Sequence, residues 1–173
     1  MARPRYALAK QEADRLLERA GIRFAPVDVD HLATEVLGAV LRTGAFDGEM
    51  DGVLIREPGQ TPIIGVNDKL SDVRRRFTVA HELGHLVLHS SPYHVDTKIH
   101  MRNSLSSTAE SVVEIEANQF AANLLMPDWM LNASLEEEPA QDLEDRTPAL
   151  AVAYGVSVQA MTLRLAKLLK HGL

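Results

Sequence analysis

The residues best suited to chemistry in this chain are His81-Glu82-Leu83-Gly84-His85. Histidines at i and i+4 of an α-helix lie about 40° apart around the axis and roughly 6 Å along it, so both imidazoles can share one metal ion. Glu82 falls about 60° beyond His85, where its carboxylate reaches a water on that ion without being a ligand and can accept its proton. The spacing predicts a Zn2+ centre with His81 and His85 as ligands and Glu82 as the general base of a hydrolytic reaction.

The plainer reading, polar residues on an ordinary surface helix, fits the neighbours less well. Val79, Ala80, Leu83, Leu86, Val87 and Leu88 spread over roughly 200° of the circumference, wider than the stripe of a typical surface helix. The remaining strip of Thr78, His81, Glu82, His85 and His89 holds no Lys or Arg, as expected of a cleft wall. The chain has no cysteine, so any metal must be held by His, carboxylate or water.

Zinc hydrolases commonly use three protein ligands, and the helix-like stretch Thr108 to Met126 offers Glu110, Glu114 and Glu116. Its core stripe reads as Val113, Ala117, Phe120, Ala121 and Leu124, with Glu114 on one margin and Glu116 on the other. Glu114 is the choice, because Asn118 one turn on is placed to hydrogen-bond a ligand, whereas Phe120 follows Glu116; Glu116 and Glu110 stay open. His89 continues the i, i+4 series but lies a turn too far to share the ion, and reads as structural or supporting. Leu88 and Ser91 stand where a metzincin needs glycine and a third histidine, which excludes that class. Tyr93, His94, His100 and Tyr154 are candidates for stabilising an oxyanion, with nothing to choose among them.

The elements that must position these residues are mostly helical. Ala7 to Ala20 has helical period and ends at Gly21; Asp28 or Asp30 caps a second helix ending near Gly38. Val40 to Thr43, Gly52 to Ile55 and Pro62 to Val66 predict a small, mostly antiparallel three-stranded sheet. Ser71 caps the helix that carries the histidines, which runs to His89. Pro92 to Ser107 reads as irregular, the acidic Glu136 to Glu138 with Pro139 as an exposed connection, and 148–171 as two helices about Gly155-Val156-Ser157. The expected fold is α+β, one domain over 1–173 with the sheet packed on the histidine-bearing helix. A net charge of −6 argues against a broad nucleic-acid surface, and no signal peptide or membrane-length apolar run is present, so a cytoplasmic location is expected.

Arg76 to His85 and Glu114 to Pro127, together with Ile63 to Asn67 and Val156 to Leu165, resemble the ImmA/IrrE family of bacterial metallopeptidases. The resemblance implies a gluzincin-like site with His81 and His85 as ligands, Glu82 as base and Glu114 as third ligand. It further implies a protein substrate, a helix-turn-helix repressor of the Xre or Cro type, whose cleavage releases stress or mobile-element genes. A substrate segment is expected to add as a strand to an open edge at Ile63 to Asn67. Two other readings compete. Leu150 to Leu165, with Arg164, Lys167 and Lys170, has helix-turn-helix spacing and could face DNA, although base-reading residues are sparse and a packed hairpin is favoured. Alternatively the metal site is structural or sensory in a partner-binding protein, a role in which Glu82 has no purpose.

Overall fold

The computed structural model describes residues 3–46, 50–90, 93–97, 112–137 and 142–170, with 93–97 described as backbone. Helix α1 (Tyr6–Arg19) puts Ala9, Ala13, Leu16 and Leu17 at helical period into the core. Helix α2 (Val29–His31) starts where the Asp28 carboxylate accepts the His31 amide, and widens into a π-helical turn over Leu32–Val36. Strands β1 (Val40–Gly44), β2 (Met50–Ile55) and β3 (Ile63–Asn67) follow. Helix α3 (Asp72–Leu88) is capped by Ser71, whose hydroxyl accepts from the Arg74 amide. Strand β4 (Tyr93–Thr97) and helices α4 (Val112–Leu125), α5 (Asp128–Glu137), α6 (Leu143–Tyr154) and α7 (Val158–Lys170) complete the order. The architecture is α+β, as expected, but the sheet departs from the expectation in two ways.

The sheet has four strands in the order β1-β3-β2-β4, with β1 parallel to β3 and the other two pairs antiparallel. The fourth strand falls in the stretch expected to be irregular. An outer strand needs only one paired side, and backbone pairing from Tyr93 to Thr97 with β2 decides it where side-chain pattern did not. The segment Ile63 to Asn67 is therefore not an open edge: β1 and β2 flank it on both sides. Its run Ile64, Gly65, Val66 and Asn67 is buried, the pattern of an interior strand covered on both faces.

The other departures are local. Helix α5 fills residues 128–135, for which the sequence pattern predicts no element, and takes in Glu136 and Glu137 of the expected connection; Pro127 both halts α4 and opens this helix, its carbonyl accepting the Leu131 amide. Helix α6 begins at Leu143 rather than Pro148, capped by Asp142. On α4, Ala117, Phe120, Ala121 and Leu124 are buried as expected, but Val113, read as part of the same stripe, is exposed.

Helix α3 is the centre of the molecule. Every residue from Phe77 to His85 is buried, as its wide apolar arc required. Strand β2 rides along it: Asp51 receives the Arg74 guanidinium, Gly52 lies over Thr78 and Glu82, and Arg56 donates to the carbonyls of His85 and His89 at 3.0 and 2.7 Å. Two further arginines of α3 bind elsewhere. Arg75 pairs with Asp30, and Arg76 donates to the carbonyls of Val27, Tyr154 and Gly155, joining the segment before α2 to the α6–α7 turn. Helix α4 packs on the opposite face at a glycine: a Cβ on Gly84 would lie 3.0 and 3.1 Å from backbone atoms of Ala117.

Candidate metal centre

Close approach of α3 and α4 sets the site. His81 and His85 are neighbours on one face of α3, their Nε2 atoms 2.9 Å apart. Across the helix pair, Glu114 presents one carboxylate oxygen 3.3 Å from His81 Nε2 and the other 3.6 Å from His85 Nε2. Ligands bound at about 2.0–2.2 Å in a tetrahedron are separated by roughly 3.3–3.6 Å; the two histidine–glutamate spacings match this, while the two imidazole nitrogens stand closer, at 2.9 Å.

Proton accounting leads to the same point. Asn118 Oδ1 accepts from His81 Nδ1 at 2.9 Å, so a neutral His81 has its lone pair on Nε2. His85 Nδ1 lies 3.1 Å from His89 Nδ1, and His89 Nε2 lies 3.1 Å from Glu116 Oε2. Glu116 is held by Arg5, which donates from Nε, from a terminal guanidinium nitrogen at 2.6 Å and from its backbone amide at 2.8 Å. The Arg5 hydrogen bonds, reinforced by His89, pull the Glu116 pKa down to about 2, so its carboxylate is an acceptor only. His89 must then donate from Nε2, and a neutral His89 accepts at Nδ1 from His85. His85 is thereby left with its lone pair on Nε2. Two imidazole nitrogens and a carboxylate thus converge in a buried space as a donor set able to hold a cation.

Burial completes the electrostatics. His81, Glu82 and His85 are at most 2% exposed, while the Glu114 side chain is 23% exposed and marks the side open to solvent. A Cβ on Gly52 would stand 2.8 Å from a Glu82 carboxylate oxygen and 2.6 Å from Thr78 Cγ2, so the β2 backbone forms the wall behind the glutamate. Burial also holds the His89 pKa below the usual histidine value.

Thus the structure brings His81, His85 and Glu114 together as a group able to hold an ion, with Asn118 on a ligand. Glu116, the rival for third ligand, turns instead to Arg5 and His89. Glu110 and His100 lie outside the described residues, and of Tyr93 and His94 only the backbone is described. The Tyr154 hydroxyl is engaged with Ser134 Oγ at 2.8 Å, in the packing of α5 against α6. Arg164, counted above toward a DNA-facing surface, is buried and donates to Met126, Asn123 and Asp128. Sequence reasoning missed Arg5 and Gly52. Neither lies in a motif, and both act through contacts made only after α1 and β2 have packed.

Two histidines of one helix and a glutamate of the next long helix, set beside a small mixed sheet, define an α+β protein with a His-His-Glu group able to hold a metal ion. The chain belongs to the peptidase M78 family, whose IrrE N-terminal-like domain matches residues 34–166. Among curated relatives it is 38% identical over 69 residues to the uncharacterized immunity region protein 2 of Bacillus phage phi105, a stretch covering 40% of each chain. Among solved structures it matches a Mycobacterium tuberculosis transcriptional regulator with a TM-score of 0.59 at 19% identity, over 92% of this chain and 46% of that one. The likeness to that regulator is one of fold, and the chain spans less than half the length of each of these two proteins.

Proposed function

We propose that this chain is a zinc-dependent endopeptidase acting on a protein substrate. The observation that carries the reading is the convergence of His81 Nε2, His85 Nε2 and both Glu114 oxygens, with Glu82 beside them on the same helix. A zinc ion held there would lower the pKa of a water toward neutrality and polarise a carbonyl. Glu82 takes the proton of the attacking water on its carboxylate as the oxygen adds to the peptide carbon. Glu82 then returns that proton to the amide nitrogen as the C–N bond breaks, giving a carboxylic acid and an amine, which exchange a proton to become carboxylate and ammonium. Burial of Glu82 against Gly52 keeps its carboxylate from wandering and supports this proton transfer.

The substrate we assign is a helix-turn-helix repressor of the Xre or Cro type, cleaved in the cytoplasm to derepress stress or mobile-element genes. Family membership and the phage immunity-region relative support this substrate. With β3 interior, the substrate strand is reassigned to β4, the outer strand of the described sheet on the Gly52 side. The α6–α7 hairpin is read as packing rather than as a DNA reader, because Arg164 is buried and the exposed positions of α7 include Val158, Leu163 and Leu169. No single helix among the described residues is long and apolar enough to cross a membrane.

The test pairs the zinc-loaded chain with a repressor encoded beside it. Wild type should cut the repressor at one site, and Glu82→Gln should retain zinc while cutting about 100-fold to 10,000-fold more slowly. Cleavage that survives Glu82→Gln removes the base assignment; zinc binding without cleavage favours the regulatory reading.

A further inference from the structure

Resting on the reading of His81, His85 and Glu114 as metal ligands, we propose that Arg5, Glu116 and His89 form a relay of positioning residues. The relay fixes His85 in the tautomer and orientation that metal binding needs, and makes zinc retention depend on the segment leading into α1. None of the three is a ligand, and Arg5 lies ahead of the residues, 34–166, that the family profile covers.

Four successive contacts define the relay. His85 Nδ1 donates to His89 Nδ1 at 3.1 Å; His89 Nε2 donates to Glu116 Oε2 at 3.1 Å; Arg5 closes the chain on both oxygens of Glu116; and Arg5 reaches back to the Leu88 carbonyl at 3.4 Å. With His89 neutral, each link has one direction. Arginine only donates and the carboxylate only accepts, so the imidazole between Glu116 and His85 can only pass the polarity on. The far end is His85 Nε2, pointed at His81 Nε2 and Glu114. A metal-bound histidine ordinarily donates its second nitrogen directly to a carboxylate or carbonyl. Here His81 follows that pattern through Asn118, whereas His85 reaches its carboxylate through an interposed histidine.

Side-chain burial shows that this is a built arrangement rather than a surface pair. Glu116 and His89 are 2% and 7% exposed, and a buried carboxylate with no cationic partner would be costly. The Arg5 guanidinium satisfies it from the rim. Three elements meet there: the start of α1, the middle of α4 and the end of α3.

Zinc affinity of the full chain, measured by competition with a chromophoric chelator, tests the relay without requiring hydrolysis. His89→Leu, Glu116→Gln and Arg5→Gln should each weaken zinc binding by about 10–100-fold, the usual cost of losing a partner behind a ligand. His89→Gln should stay near wild type, because its amide can accept from His85 through Oε1 and donate to Glu116 through Nε2. Circular dichroism of the metal-free variants separates lost folding from lost affinity. Histidine 15N shifts in zinc-loaded wild type give an independent reading, with His85 expected to carry its proton on Nδ1. Zinc affinities of His89→Leu and Glu116→Gln within twofold of wild type, or a His85 proton on Nε2, overturn the relay. A wild-type chain that holds zinc and cuts no repressor overturns the peptidase reading alone; one that binds no zinc overturns both.

Discussion

Two glutamates two residues apart on α4 have opposite fates, and the difference is set by what each meets. Glu114 faces the paired Nε2 atoms, while Glu116 is occupied by Arg5 and His89. Glu114→Ala should therefore lose zinc far more completely than Glu116→Ala, since on the proposed reading one removes a ligand and the other only support for His85. Equal zinc retention by the two variants in equilibrium dialysis would reverse the ligand choice. The histidine pair and Glu82 were legible in the sequence because helix geometry alone fixes their relation. The choice of Glu114 over Glu116 was half legible: the wheel placed both on margins of the core stripe, and Asn118 tipped the balance. What the sequence could not carry was the turn of Glu116 away from the histidine pair, because its partner Arg5 is 111 residues away.

At the scale of elements, two glycines set the distances between α3 and what packs on it. At Gly84 the obstruction facing an added methyl is backbone of Ala117, together with Phe120 Cβ at 3.2 Å, and backbone cannot swing aside. Alanine would gain about 1 kcal/mol of helix propensity but cost about 1–3 kcal/mol by overpacking. Gly84→Ala should lower the melting temperature by a few degrees, on the scale of about 2–4 °C per kcal/mol, and weaken zinc binding as α4 carries Glu114 outward. An unchanged melting temperature and zinc affinity would refute this role. Gly52 bears on the proposed base rather than on the proposed ligands: the atoms nearest an added methyl belong to the Glu82 carboxylate and Thr78. Cleavage should fall by at least about tenfold with zinc content unchanged, which metal analysis beside a rate measurement can read. The elements themselves were unevenly legible. Helix α3 announced itself through its apolar arc, and α1 through its period. Strand β4 and helix α5 did not, since edge pairing and a proline that ends one helix while opening another leave little mark in hydrophobic pattern. Strand β3 reads as an open edge in the sequence, because the punctuation around a short run such as Ile63 to Asn67 gives no strand order.

At the scale of the whole molecule, the site is held from both ends of the chain. Helix α1 enters through Arg5 and through Lys10, which bridges Asp14 and Asp128; α7 enters through Arg164, which reaches Asn123 and Asp128. Both sets of contacts grip α4 and the start of α5, so the helix that supplies Glu114 is fixed by residues far away in sequence, and short-range pattern could not foretell it. Acid should release the grip at Arg5 in a defined window. The folded protein holds Glu116 at a pKa of about 2, below its ordinary value of 4.5, so the ionised carboxylate is favoured by folding. Its contribution to stability is whole above about pH 4.5 and disappears as the pH falls toward 2, because protonation then occurs in the unfolded chain before the folded one. Urea unfolding of metal-free wild type and Glu116→Gln at a series of pH values isolates this contribution from loss of zinc. The stability gap between them should be widest near neutrality and should narrow steadily below pH 4.5. A gap that stays constant through that window would mean that Arg5 and His89 do not hold the Glu116 charge in the folded protein.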